Sequence, residues 1–576
     1  MIKAAITLLI LMVLTKNMSA EIFPADGAVL NFTQVMFQFE EKAGADTYVL
    51  VLIPAKETFM KKTRYLTQSL ACLVTEDLEF GKGYHWFYEA YKKNKLVFKS
   101  ETFQFSIAKS DLVNSNKYRY TIVKQTPGTF QHNLLFIENL GVLVDRTGTP
   151  VWYLPFNTDT ATKAPQYRNL DLTNDGTFTY VYGDECYEKT RFGDVVWKAP
   201  NDGAVSGDGR EHYHHDFAKL DDGTYIACSY KFDTTAHFYF NTLISNVRYN
   251  TVIQYDASGK VLWSWNEKDH VNKAEIFSMY QQADKEIAGT HMNGFSFDKK
   301  TNSFLFSFRD NSSILRVDKL TGNTLYSLMG DRQQPGNDQL HFNSQHSPAV
   351  TKKGSVLIYN NNAGKDTAGK TKFPIILEAD IPEKNGTAKK LWEYECVMKD
   401  HPEGLVGKEG SAFELPNKNI LVCTGGGNKI FEVTRGKKVV WEMNCEAYSS
   451  RENKWIPFTN YRSHYISSLY PHYFTIQNLN DTNEINLQQP LSLRISNDGT
   501  EEDVYQVEVF SSTMLNGYSV TIKLGAQTSL LKTIQLTKNK NGKPMQPGTN
   551  YVVVRVTPLS NPAMAQTINY TLKGAH

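Results

Sequence analysis

Short runs of alternating apolar and polar residues, each bounded by Gly, Pro, Asn or Asp, recur along the chain and predict β-strands. From 21 to 109 such runs lie at 35–40, 47–52 and 101–107, with an aromatic run at 83–88. This spacing predicts a β-sandwich. From 110 to 470 one phrase repeats: a strand ending in Asp or Glu, a Gly-containing turn, then a β-branched residue or Leu followed by Trp. It ends at Trp152, Trp197, Trp263, Trp392 and Trp441, with Tyr326 in the corresponding place of one copy. A second phrase, at 173–177, 220–224 and 352–355, places Asp-Gly or Lys-Gly at tight hairpins, where Gly accepts positive φ. About six units spaced roughly 45 to 65 residues apart suit four-stranded propeller blades. A third region, 475–576, again alternates as a small sandwich. The fold expected is all-β: a six-bladed β-propeller flanked by N-terminal and C-terminal β-sandwiches.

Composition agrees with strands, since 31 Tyr and 32 Phe favour them over helices. The 83–88 strand resembles the aromatic core strand of fibronectin type III modules. Residues 1–20 read as a cleavable signal peptide: Lys3, an apolar run from Ile6 to Leu14 too short to span a bilayer, then Ser19 and Ala20. The mature chain is expected to be periplasmic or secreted, with no membrane span. Removing the signal leaves 60 basic against 60 acidic residues, which argues against a nucleic-acid binder. The six cysteines form no Cys-x-x-Cys pair. This disfavours zinc ribbons and thioredoxin chemistry and leaves one or two disulfides and buried free thiols as alternatives.

No nucleophile elbow, zinc-protease motif, phosphate loop or dinucleotide fingerprint is present. The candidate chemistry rests on histidines at corresponding places in successive units: His214-His215-Asp216-Phe217, His291-Met292-Asn293-Gly294 and Gln345-His346-Ser347-Pro348. Inner strands of a propeller converge on its axis, so such residues approach one another in space. Arg309 follows His291 on a strand, and a buried arginine needs either a carboxylate, such as Asp310, or a bound anion.

This succession of elements resembles the bacterial arylsulfate sulfotransferases, which act without the nucleotide donor PAPS. That family combines an N-terminal sandwich with a six-bladed propeller and is periplasmic. The C-terminal sandwich and the dispersed cysteines depart from its best-known members. The resemblance implies His346 as the nucleophile accepting a sulfuryl group. It implies His291, Asn293 and Arg309 as ligands of the sulfuryl oxygens, and His215 across the funnel with His214 beside it. Thr424, in Cys423-Thr424-Gly425-Gly426, would be a further polar contact, and Tyr461 or Tyr465 an aromatic wall. The expected reaction is a ping-pong transfer from a phenolic sulfate ester to an acceptor phenol, with no metal and no other cofactor. A homodimer is one assembly compatible with this.

Four other readings stand beside it. His212-Tyr213-His214-His215-Asp216 has a metallo-hydrolase spacing, but Phe217 stands where a further histidine is expected. His214, His291 and His346 together could form a one-zinc site. A carbohydrate- or protein-binding propeller would use abundant surface Tyr and Trp, and a polysaccharide lyase on the same scaffold would also need His, Tyr and Arg in a funnel.

Overall fold

The computed structural model describes residues 22–572 except 57–61, 128, 131–132, 156–165, 236, 240–241, 245–246, 271–289, 331–339, 398–407, 481, 512–514 and 538–550. The expected signal peptide lies outside the described residues. The chain is all-β, and the helical segments among the described residues are three-residue 3-10 turns. None of them is long and apolar enough to cross a membrane. Residues Lys109–Ser468 form one compact unit, and the segments before and after it form another.

Within Lys109–Ser468, antiparallel sheets follow one another along the chain. The first comprises Leu134–Ile137, Val142–Val144 and Pro150–Tyr153; the second Arg168–Leu172, Phe178–Tyr182, Glu185–Lys189 and Val195–Lys198. The third is Phe217–Lys219, Tyr225–Asp233, Val247–Tyr255 and Val261–Asn266; the fourth Met292–Asp298, Ser303–Phe308, Ser313–Asp318 and Thr324–Met329. The fifth is His346–Val350, Val356–Asn360, Ile375–Asp380 and Lys389–Glu395; the sixth Ser411–Glu414, Ile420–Cys423, Lys429–Val433, Val439–Ser449 and Lys454–Pro457. The ends of the unit exchange partners: Tyr118–Gln125 pairs with Val439–Ser449 of the sixth sheet, and Tyr465–Ile466 pairs with Leu134–Ile137 of the first.

The repeated phrase has a local cause. In its turn the Asp side chain accepts backbone N–H groups two and four residues on, as Asp145 does from Thr147 and Thr149, and Asp256 from Ser258 and Lys260. Gly148 and Gly259 take positive φ in these turns, at 84° and 87°. The tryptophan has a distant role. Trp152 Nε1 donates to Arg191 O at 3.0 Å, Trp197 to Ala257 O at 3.2 Å, Trp392 to Arg435 O at 2.8 Å, and Trp441 to Arg146 O at 3.0 Å. Each acceptor lies in the corresponding turn of the next sheet, and Trp441 of the sixth reaches the first. Trp263 abuts Gly322 of the fourth sheet, where a Cβ would come within 3.1 Å of Nε1. Tyr326 takes the same role in the fourth, its hydroxyl donating to Gly386 O at 3.3 Å.

The core lies in layers between sheets. Leu305, Ile314 and Leu328 of the fourth pack on Val356, Ile358 and Leu377 of the fifth. Ile226 and Val252 of the third pack on Phe304 and Phe306 of the fourth. Each such fully buried side chain contributes about 1.5–3 kcal/mol. The first strands are tied edge to edge by polar groups. Asn169 Nδ2 donates to Phe217 O, Phe295 N to Asp216 Oδ2, Asn293 Nδ2 to Gln345 O, and Ser347 Oγ to Gly410 O.

In the other unit, Trp86 fills the amino-terminal core against Phe37, Phe39 and Phe103. The carboxy-terminal strands bury Leu491, Leu493, Val507 and Val554. The two halves meet through polar groups: Arg494 donates to Asp46 O and Gln68 O, and Gln477 Nε2 to Ala45 O.

Candidate active site

The three histidine elements open the first strands of the third, fourth and fifth sheets. His214 and His215 stand just before Phe217–Lys219, His291 just before Met292–Asp298, and His346 is the first residue of His346–Val350. His215 and His291 approach to 5.4 Å between ring centroids. The Tyr461 ring bridges the cluster, 6.0 Å from His215 and 5.9 Å from His346. His215 and His291 both have left-handed backbones, with φ of 52° and 56°. For residues other than glycine this conformation persists only where surrounding contacts enforce it.

Those contacts are visible at His291. The buried Glu267 carboxylate accepts from Asn250 N at 2.9 Å, Asn250 Nδ2 at 2.7 Å, Thr290 N at 3.1 Å and the Thr290 hydroxyl. Asn250 Oδ1 in turn accepts Met292 N at 3.0 Å. The residues on both sides of His291 are thereby clamped, and Arg309 N donates to His291 O at 2.9 Å.

Hydrogen-bond partners assign the tautomers. His214 Nε2 lies 3.0 Å from Ser229 O, a pure acceptor, so Nε2 carries the proton. Its Nδ1 then accepts from His215 Nδ1 at 2.8 Å, which leaves the His215 lone pair on Nε2. His346 Nδ1 lies 2.7 Å from Asn361 Oδ1 and 3.0 Å from Ser344 O, so its lone pair is also on Nε2. That nitrogen accepts the backbone N–H of Glu409 at 3.1 Å.

Burial strips these rings of water and disfavours their charged forms. Burial brings both His214 and His346 down to about 3. His215 is also pushed well below the ordinary histidine range, first by burial and then by His214, His291 and His346. Arg309 adds to the depression at His346, which places its charge within electrostatic reach of that ring. All three imidazoles are therefore neutral at neutral pH.

Arg309 is less buried than expected, with 29 % of its side chain exposed. Its Nη1 donates to Asp310 Oδ1 at 2.8 Å, while Asp310 Oδ2 lies 3.5 Å from His291 Nδ1. The carboxylate alternative for Arg309 is thus realised, and the same carboxylate faces His291. Asn293 is fully buried. Its Nδ2 donates to Gln345 O at 2.6 Å, and its Oδ1 has no hydrogen-bond partner among the described residues. Thr424 is placed otherwise: its hydroxyl donates to Lys429 O and accepts Lys429 N, both at 3.1 Å, closing the turn at Gly425–Gly427. Of the two tyrosines, Tyr461 stands among the histidines. Tyr465 lies against Phe130 and donates to Glu414 O.

Several neighbours carry no motif in the sequence. Arg168 sits over the Tyr461 ring at 4.6 Å. Arg462 donates to Asp216 Oδ1 at 2.7 Å and to Asn169 Oδ1 at 2.5 Å, a buried pair beside the cluster. Glu138, also buried, is raised to about 7 by burial against the pull of Arg462 and Arg168. The only hint at Asn361 is its place in an Asn-Asn-Asn run directly after an apolar strand. Among the described residues no three His, Cys, Asp or Glu side chains are placed to hold a metal ion. All six cysteines are free thiols.

A model of the family described as Arylsulfotransferase (ASST) matches residues 119–398. No curated protein matches the chain. Among solved structures the chain is similar to a protein of unknown function from Bacteroides caccae, at 16 % identity and TM-score 0.36, covering 59 % of this chain and 99 % of that one. It is also similar to a catalytically inactive virginiamycin B lyase from Staphylococcus aureus with quinupristin, at 11 % and 0.30, covering 56 % and 87 %. A putative 6-phosphogluconolactonase from Bacteroides fragilis stands at 11 % and 0.30, covering 73 % and 98 %. Likenesses this distant carry no argument about function.

Proposed function

We propose, from the premise that this chain belongs to the arylsulfotransferase family, that it moves a sulfuryl group from a phenolic sulfate ester to an acceptor phenol through a sulfohistidine on His346. The observation that carries this reading is the set of neutral imidazoles beside the Arg309 cation, with the lone pair of His346 assigned to Nε2. A neutral, desolvated imidazole is a nucleophile toward sulfur and can hold the group covalently.

In the first half, the Nε2 lone pair forms the N–S bond. The S–O bond to the aryl group breaks, and its electron pair leaves on the phenolate oxygen, which then takes a proton. In the second half, an acceptor phenol oxygen attacks sulfur, the N–S bond returns its pair to Nε2, and the phenol proton is lost. His291, oriented by Asp310, and His215, with its lone pair on Nε2, are the groups for these proton movements. Arg309 and Asn293 would bind the peripheral oxygens, where charge accumulates during transfer. The reading needs no nucleotide donor and no metal.

The proposed scaffold is a six-bladed propeller over 110–470 between sandwiches at 21–109 and 475–576, exported by a signal at 1–20. The aromatic contacts from each sheet to the next, made by tryptophan in five sheets and by Tyr326 in the fourth and returning from sixth to first, support six blades. The test is incubation with 4-nitrophenyl sulfate with and without phenol. Nitrophenol release that requires phenol, with one sulfuryl group of added mass on the His346 peptide, supports the reading. Undiminished release by His346→Ala would sink it. The same mass measurement separates His346 from His291, whose side chain is one-third exposed.

A further inference from the structure

Three hydrogen bonds form a closed circuit at His346. Its Nδ1–H donates to Asn361 Oδ1 at 2.7 Å. Asn361 Nδ2 donates to Glu409 O at 2.9 Å. Glu409 N–H returns to His346 Nε2 at 3.1 Å. The Asn361 amide, with the Ser344 carbonyl 3.0 Å from the same Nδ1, fixes which nitrogen holds the proton, and it also fixes where the Glu409 peptide stands. The amide cannot be reversed without facing its NH2 toward the N–H of the imidazole and its oxygen toward the Glu409 carbonyl.

The circuit is held from outside. Asn360, the preceding residue, accepts Asn343 N at 3.0 Å and Asn362 N at 2.8 Å, and donates to His341 O at 3.2 Å, so the backbone carrying Asn361 is pinned on two sides. Glu409 has a φ of 64° and the following Gly410 one of 103°. Gly410 N donates to Tyr461 O at 2.9 Å, and Gly410 O accepts the Ser347 hydroxyl at 3.0 Å. Asn361 itself is 2 % exposed. Such arrangement of a peptide N–H onto a ring nitrogen has a chemical consequence. In this structure the N–H occupies the lone pair that the proposed reaction needs. Once that pair forms a bond to sulfur, the N–H has lost its acceptor in a desolvated place. The oxygens of the arriving group are then the acceptors at hand.

We infer that Asn361 is a positioning residue: with the Ser344 carbonyl it holds the imidazole proton of His346 on Nδ1, and it aims the Glu409 N–H at Nε2, so that this N–H passes to a sulfuryl oxygen as the N–S bond forms. The inference rests on the sulfuryl-transfer reading above. No atom is exchanged in this part of the step. The proton stays on the Glu409 nitrogen and changes only its acceptor, in the manner of a backbone oxyanion donor.

The test uses the full chain with 15N-labelled histidine, its His346 resonances assigned by comparison with His346→Gln. In the wild type the ring should show a protonated Nδ1 and an unprotonated Nε2. Asn361→Ala leaves Nδ1 with the Ser344 carbonyl alone and releases the Glu409 peptide, so it should move the Nδ1 and Nε2 shifts and lower kcat for 4-nitrophenyl sulfate by ~10²-fold with KM little changed. Asn361→Asp keeps the size but sets a carboxylate at Nδ1. The other groups facing His346 are unchanged: Arg309, His291, His215, Tyr461 and Glu409. The acid limb of the first half-reaction should therefore rise by about one pH unit or more. Wild-type ring shifts and kcat in both variants overturn the proposal, and so does a lowered kcat with unaltered shifts and pH profile. If Asn361→Ala does not fold, the isosteric Asn361→Asp decides alone. A wild type that never acquires a sulfuryl group defeats the transferase reading instead, while the ring shifts still decide the role of Asn361.

Discussion

Trp441 and Arg146 are 295 residues apart in sequence, yet the indole Nε1 of one donates to the carbonyl of the other at 3.0 Å. The Arg146 guanidinium also covers the Trp441 ring at 3.8 Å and pairs with buried Glu432. This is the contact by which the sixth sheet docks on the first.

Trp441→Phe keeps an aromatic ring but leaves the Arg146 carbonyl without its donor in a buried place. The expected loss is about 1–2 kcal/mol, read as a lower midpoint in urea unfolding. Arg146→Met is expected to be worse, about 3–5 kcal/mol, because Glu432 stays buried with its charge uncompensated.

Arg309→Lys retains a charge that can pair with Asp310 but loses the planar fork. If the guanidinium binds two sulfuryl oxygens, kcat for 4-nitrophenyl sulfate should fall ~10–10²-fold, since a point charge cannot match that geometry. Steady-state kinetics with phenol in excess reads this directly. An unchanged kcat would confine Arg309 to its structural pair.

Thr424→Val removes a hydroxyl whose two hydrogen bonds both go to Lys429. Stability should fall by about 1 kcal/mol, while kcat and KM stay within roughly twofold of wild type, as for other changes remote from the reacting atoms. A large kinetic effect would restore Thr424 as a substrate contact.

His214 and His346, each lowered to about 3, should remain neutral on titration from pH 8 to pH 5. The first half-reaction should accordingly show no acid limb in that range. Their depressed values mean that the unfolded chain binds protons first. Their contribution to stability is present above about 6.5 and is lost as pH falls toward 3. Glu41, Glu138 and Asp498, each raised to about 7 by burial, contribute with the opposite sign, favouring the fold at low pH and losing that contribution as pH rises toward 7. Global unfolding sums both sets, so the imidazole 15N shifts are the appropriate measurement. Protonation of either ring above pH 5 contradicts the assignment.

The features legible in the sequence are those made by short-range bonds. The Asp145 and Asp256 turns close within four residues through side chain, backbone and a glycine at positive φ, so their spacing appears directly in the chain. The period of those turns gives the repeating sheets, and the place of His215, His291 and His346 at the start of their strands follows from the same period. The residue types at these positions already suggested anion chemistry.

Other features depend on which strands become neighbours. Trp197 and Trp441 read alike in sequence, and only the packing of one sheet on the next supplies their acceptors. Thr424 has a plausible type and place but turns its hydroxyl to Lys429. Asn361, Glu409 and Tyr461 come from separate segments and meet His346 only after folding. The amino- and carboxy-terminal strands likewise join in one unit through Arg494 and Gln477. By itself, then, the sequence determined the strand content, the turn period and the placement of the imidazoles. Tertiary structure decided their tautomers, their neutrality and which ring nitrogen keeps its lone pair. Desolvation and hydrogen-bond partnership depend on everything packed around a group, and no local spacing records that.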